Sequence, residues 1–117
     1  MNSKKVKMIS SKKEIKIILE TGRHFSGKYL KFIYIKKSNL APQLKLLISV
    51  PKKKIKLAVD RNSIKRKIKA FYFRKKEIQK INGNVIIIYN YLKPVKYIKL
   101  EKDMLSFQKI VFNTWNL

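Results

Sequence analysis

This chain of 117 residues has no cysteine, which excludes disulfides, thiolate metal sites and cysteine nucleophiles. It has one histidine, His24, so any histidine-based triad would depend on that residue. His24 falls in the short Gly22 to Gly27 connection with no carboxylate nearby in sequence, a poor setting for acid–base chemistry. Acids number only six and are scattered, whereas a protein that cleaves phosphodiesters with its own metal ions needs carboxylates brought together to hold them. Apolar runs are short: the longest, Val85 to Tyr89, has the length of a strand, far below the roughly 18 to 20 residues that span a bilayer. The basic start, Met1 to Met8, leads into Ser11-Lys12-Lys13-Glu14 and not into an apolar signal core, so a cytoplasmic address is the expectation. There is no Gly/Ser linker, internal repeat or low-complexity tail. Protein-borne catalysis has little to work with here.

Positive charge, by contrast, is abundant. Thirty Lys plus Arg against six Asp plus Glu give a formal charge of +24, and a folded surface with that much self-repulsion calls for a polyanion, with nucleic acid foremost. The hydrophobic fraction of 45% supports a core, and the length suits one domain over residues 1–117.

Three helices and three strands are predicted. Ser11 to Glu14 fits a capping box, with the Ser11 hydroxyl accepting from the Glu14 amide and the Glu14 carboxylate reaching back to the Ser11 N–H. A helix over 12–21 follows, with Ile15, Ile18 and Leu19 on one face and Gly22 placed to end it in a left-handed conformation. Tyr29 to Ile35 reads as a strand with Leu30, Phe32 and Tyr34 on one side. After turn chemistry at 37–43, Leu44 to Val50 reads as a second strand, expected to pair with the first as an antiparallel hairpin. Pro51 ends it, and the loop Lys52 to Lys56 leads into a helix running to about Lys80. Val85 to Tyr89, apolar on both faces, suits the centre of a sheet. From about Ile98, Leu100, Met104, Leu105, Phe107, Val111, Phe112 and Trp115 recur at helical spacing and form a core stripe. The order is α-β-β-α-β-α, an α+β fold.

The second helix carries the binding chemistry. On a helical wheel Arg61, Asn62, Lys65, Arg66 and Lys69 span an arc of roughly 140°, beside an apolar arc of about 100° formed by Ile64, Ile68, Phe71 and Tyr72. Lys52, Lys53, Lys54 and Lys56 precede it in the loop. A merely solvated charged face would be laced with salt bridges, yet between Lys52 and Arg66 the only acid is Asp60. Arginine is rare in this lysine-rich chain, and two of the four, Arg61 and Arg66, fall on this face, where a planar fork suits phosphate.

The run Ala58-Val59-Asp60-Arg61-Asn62-Ser63-Ile64-Lys65-Arg66-Lys67-Ile68-Lys69 resembles the signature helix of the bacterial ribonuclease P protein subunit. Ser11 to Gly22 is similar to that family's first helix, and Ile48-Ser49-Val50 before the lysine loop to its second strand, so the resemblance spans nearly the whole chain. It implies a two-layer α/β sandwich with a left-handed βαβ crossover, like a domain of ribosomal proteins. It also implies that a catalytic RNA subunit, with Mg2+ held mainly by that RNA, carries the phosphodiester chemistry. The protein, one per RNA, would bind this RNA and the 5′ leader of precursor tRNA. On that resemblance Arg61, Asn62, Lys65, Arg66 and Lys69 would face the catalytic RNA, with Lys52, Lys53, Lys54 and Lys56 in the adjoining contact loop. The family often has a third cation where Ser63 stands and arginine where Lys69 stands. Its first helix usually presents aromatics to the leader cleft, where this chain has Ile15 and Leu19. Phe32, Tyr34 and Tyr89 are therefore the candidate stacking surfaces, with core packing as their alternative. A ribosomal or general RNA-binding protein of the same fold is the competing reading.

Overall fold

A computed structural model describes residues 6–36, 44–74 and 83–115, with side chains as far as residue 111. The chain order is β1 (Lys7–Met8), α1 (Lys12–Thr21), β2 (Arg23–Ser26), β3 (Leu30–Lys36), β4 (Leu44–Ser49), α2 (Ala58–Arg74), β5 (Gly83–Tyr89) and α3 (Tyr97–Trp115). The predicted α-β-β-α-β-α order stands, with two short strands added at the sheet edges. The predicted turn at 37–43 and the end of the second helix beyond Arg74 lie outside the described residues, as do the side chains of Phe112 and Trp115.

The strands form one sheet in the order β1-β4-β5-β3-β2. The expected hairpin between the third and fourth strands is corrected: β5 inserts between them, antiparallel to β3 and parallel to β4. The reason lies in burial. β5 is covered on both faces and gains most from a central place, and β4, α2 and β5 form the parallel βαβ unit. β3 takes its antiparallel hairpin partner from β2, which pairs Arg23 with Tyr34, His24 with Ile33 and Phe25 with Phe32. His24 therefore belongs to an edge strand, not to a connection.

Each sheet face has its own packing. On one side Leu30, Phe32 and Tyr34 of β3, Leu44, Leu46 and Ile48 of β4, and Val85, Ile87 and Tyr89 of β5 meet the apolar faces of α2 and α3. The α2 contribution is the predicted set: Ile64, Ile68, Phe71 and Tyr72. α3 contributes Leu100, Met104, Phe107 and Val111, whereas Leu105 falls off the stripe and is exposed. Phe107 stacks on Phe32 with centroids 4.3 Å apart and meets Tyr34 edge-on at 5.1 Å. On the opposite side α1 lies over β3 and β5, and Ile18 packs with Ile9, Ile33 and Ile86.

At the ends of α1 the structure keeps part of the prediction and changes the rest. Ser11 Oγ accepts from the Glu14 N–H at 3.3 Å, while the Glu14 carboxylate is drawn to Lys45 Nζ on β4, also at 3.3 Å. Gly22 ends the helix in an extended conformation (φ −72°, ψ 157°), not a left-handed one. Its glycine is required by proximity: a Cβ would stand 2.5 Å from the Ile18 carbonyl oxygen and 2.8 Å from Ile33 Cγ2.

Candidate nucleic-acid interface

The basic loop is ordered by two devices. Pro51 has no N–H to continue the ladder, and its carbonyl accepts from Lys54 N–H (3.0 Å) and Ile55 N–H (3.1 Å), which turns the chain. Ile55 then drops into the core, 3% exposed, and leaves Lys52, Lys53 and Lys56 in solvent on either side of the anchor, with Lys54 half-buried. The lysines thus sit on a pinned loop, which lowers the ordering entropy a ligand would otherwise have to offset.

Arg61 supplies the second device. Its Nη1 donates to the carbonyl oxygens of Ile55 (2.9 Å) and Lys56 (2.7 Å), so the guanidinium ties the first turn of α2 to the loop before it. Sequence reasoning treated Arg61 as one more surface cation; the structure gives it a positioning role, with half-buried placement. Asn62, Arg66 and Lys69 are exposed and Lys65 is half-buried, on the face of α2 that adjoins the buried Ile64 and Ile68. The only ion pair among the described residues is Lys45–Glu14, so none of these cations is paired with a described acid.

A groove of about 330 Å³ lies beside the loop, lined by Lys53, Lys54, Lys56, Asp60, Leu57 and, from the segment after β5, Leu92 and Pro94. Leu57 and Leu92 are 63% and 75% exposed, an apolar floor between ammonium groups. Leu92 and Pro94 escaped sequence reasoning because they are more than thirty residues from the loop; only the parallel pairing of β4 with β5 brings the two exits together.

The expected stacking surfaces are corrected. Phe32, Tyr34 and Tyr89 are at most 5% exposed and lie in the core under α2 and α3, on the face away from α1. Tyr89 is further tied by its hydroxyl, which donates to the Lys93 carbonyl at 2.6 Å; burial, with nearby Tyr91 and Tyr29, pushes that hydroxyl up to about 12. The α1 face instead offers aliphatic side chains: Ile15, Ile35, Leu47 and Ile88 are partly buried there. Leu19, expected on the packed side of α1, is 49% exposed at its edge.

The Ribonuclease P family model matches residues 3–111. The chain belongs to that family. Membership gives it an RNA partner in a ribonucleoprotein and a place in tRNA processing, within an endoribonuclease system. Solved structures agree on the fold. The RNase P protein of Staphylococcus aureus is 21% identical, with a TM-score of 0.72 over 88% of this chain and 93% of that one. The RNase P protein of Thermotoga maritima is 18% identical, also at 0.72, over 86% of this chain and 94% of that one. No curated protein matched.

Proposed function

We propose that this chain binds the catalytic RNA of ribonuclease P through the exposed face of α2 and the pinned lysine loop. It also contacts the 5′ leader of precursor tRNA and assists endonucleolytic removal of that leader. The observation that carries the reading is the set of cations Arg61, Lys65, Arg66 and Lys69 with Asn62, none paired with an acid among the described residues, on a helix that buries Ile64, Ile68, Phe71 and Tyr72 in the core. Such a face is rigid, and rigidity fixes where RNA phosphates must lie. The leader is assigned to the α1 side, where Ile15, Leu47 and Ile88 are partly buried around the Ile18 cluster and Leu19 of α1 is exposed. Contact there is by aliphatic surface, since the strand aromatics face the other way.

Mg2+ belongs with the RNA in this reading. Among the described residues no group of three or more His, Asp or Glu is placed to hold a metal. The role left to the chain is electrostatic and geometric: it holds RNA segments in register and lowers their mutual repulsion. No described helix is long and apolar enough to cross a membrane.

The test is reconstitution. A bacterial ribonuclease P RNA cleaves precursor tRNA at low magnesium with and without the protein, and the protein is expected to accelerate leader removal and to require one copy per RNA. Unchanged cleavage, together with RNA binding, would favour a ribosomal or general RNA-binding role. With about 6 to 10 phosphate contacts, affinity falls roughly 10³ to 10⁵ between 50 and 200 mM salt, and a flat salt response would refute phosphate binding.

A further inference from the structure

Cations also converge at a second place, on the outer side of α3. Lys28, in the turn between β2 and β3, joins Lys99 and Lys102 of α3 around a recess of about 180 Å³ whose remaining walls are Tyr29 and Asp103. The Lys28 and Lys99 ammonium groups lie against the same ring, 5.5 and 5.9 Å from the Tyr29 centroid. Tyr29 is 5% exposed and braced edge-on by Tyr91 at 4.7 Å, so the ring is a fixed wall and not a mobile side chain. Gathering like charges over one ring costs repulsion that a bound anion would relieve. Asp103 offsets at most one of the three charges. Its oxygens are engaged by the N–H groups of Lys28, Tyr29 and Leu30, and none of the three lysines is in an ion pair with another described residue.

The recess is placed on the same rim of the sheet as the lysine loop. β4 runs parallel to β5 and β3 runs antiparallel to it, with Ser49 opposite Ile88 and Leu30 opposite Tyr89. The exit of β4, the exit of β5 and the entry to β3 are therefore neighbours, at about 4.8 Å per strand. The segment after β5 spans the gap. Leu92 and Pro94 wall the groove at the lysine loop, and Tyr91, just before them, braces Tyr29.

We propose that the Lys28, Lys99 and Lys102 recess is a second seat for RNA phosphate, reached by RNA that leaves the α2 face and crosses the sheet rim over Tyr91 to Pro94. The proposal rests on the RNA-binding reading above. Its ligand is a phosphodiester of the RNA backbone: ammonium groups supply donors only, and the buried Tyr29 ring leaves no platform for a base. The contact positions RNA and carries no sequence preference.

The deciding experiment acetylates the lysines of the wild-type protein with and without a bacterial ribonuclease P RNA transcript and reads each site by mass spectrometry. Lys28, Lys99 and Lys102 are expected to be shielded by RNA together with Lys65 and Lys69. A Lys28→Ala/Lys99→Ala/Lys102→Ala variant should lower the slope of log affinity against log salt by about 0.7 to 0.9 for each phosphate lost. Shielding of Lys65 and Lys69 with undiminished reactivity in the recess overturns the second seat and leaves the α2 reading standing. Shielding at neither place overturns both. Inorganic phosphate that shields the recess as fully as RNA does marks a small-anion site and also overturns the proposal. Because the footprint uses unaltered protein, it decides the matter even where the variant folds poorly.

Discussion

Asp103→Ala should be among the most damaging single substitutions in this protein. The carboxylate is 8% exposed and accepts from Tyr29 N–H at 2.6 Å, Leu30 N–H at 2.9 Å and Lys28 N–H at 3.2 Å. It thereby fastens the β2–β3 turn to α3 and supplies an acceptor to each of those amides. Alanine leaves the Tyr29 and Leu30 amides buried and unpaired, at about 1 to 3 kcal/mol each, while the Lys28 amide can turn to water at little cost. The expected loss is about 2 to 6 kcal/mol, against a total stability of about 5 to 15 kcal/mol for a domain of this kind. Asp103→Asn keeps one acceptor oxygen and should lose less. Gly27 supplies an internal check, because a Cβ there would stand 2.5 to 2.7 Å from the Asp103 carboxylate. Gly27→Ala should therefore destabilise the wild type and cost much less in the Asp103→Ala background, a coupling that a double-mutant cycle measures. Urea unfolding followed by circular dichroism gives all four values. If Asp103→Ala unfolds within about 0.5 kcal/mol of wild type, as ordinary surface changes do, the claim that this carboxylate holds the turn is wrong.

Arg61→Ala should weaken RNA binding and also loosen the lysine loop, costing about 1 kcal/mol and raising proteolysis between Lys52 and Lys56, because two carbonyl partners are lost. Lys65→Ala and Arg66→Ala should weaken binding with stability unchanged within about 0.5 kcal/mol; equal loop cleavage in all three variants would refute the positioning role of Arg61. Ile68→Ala, at a fully buried position, should cost about 2 to 5 kcal/mol while the folded fraction binds RNA normally, checked by unfolding and by affinity at low temperature. Tyr89 titrates at about 12 in the folded state against about 10 unfolded, so its contribution is fully present below pH 10 and is lost as pH rises from there through 12. Tyr89→Phe should be less stable at neutral pH and should lose less stability than wild type across that window; parallel pH profiles would refute the linkage.

Much of the fold could be read directly because the periodicities are local. Ile64, Ile68, Phe71 and Tyr72 recur at helical spacing and are buried as a set, and Val85 to Tyr89, apolar throughout, takes the centre of the sheet. The edge strands were not legible. Arg23 to Ser26 and Lys7–Met8 are short and mostly polar, and their strand character comes from pairing with β3 and β4. Phe32, Tyr34 and Tyr89 show the same limit: alternation puts Phe32 and Tyr34 on one face of their strand, but which face meets which helix depends on sheet order.

The cationic helix face, the excess of positive charge and the scarcity of acids are properties of the sequence alone, because each depends on residue type and short-range spacing. The tertiary structure decided what long-range proximity controls. It gave Arg61 its hold on the loop carbonyls, brought Leu92 and Pro94 beside the lysine groove, and buried the strand aromatics. It also set Asp103 under a turn more than seventy residues earlier in the chain. Those contacts follow from β5 entering between β3 and β4, a choice made by the burial of the whole sheet and written in no single segment.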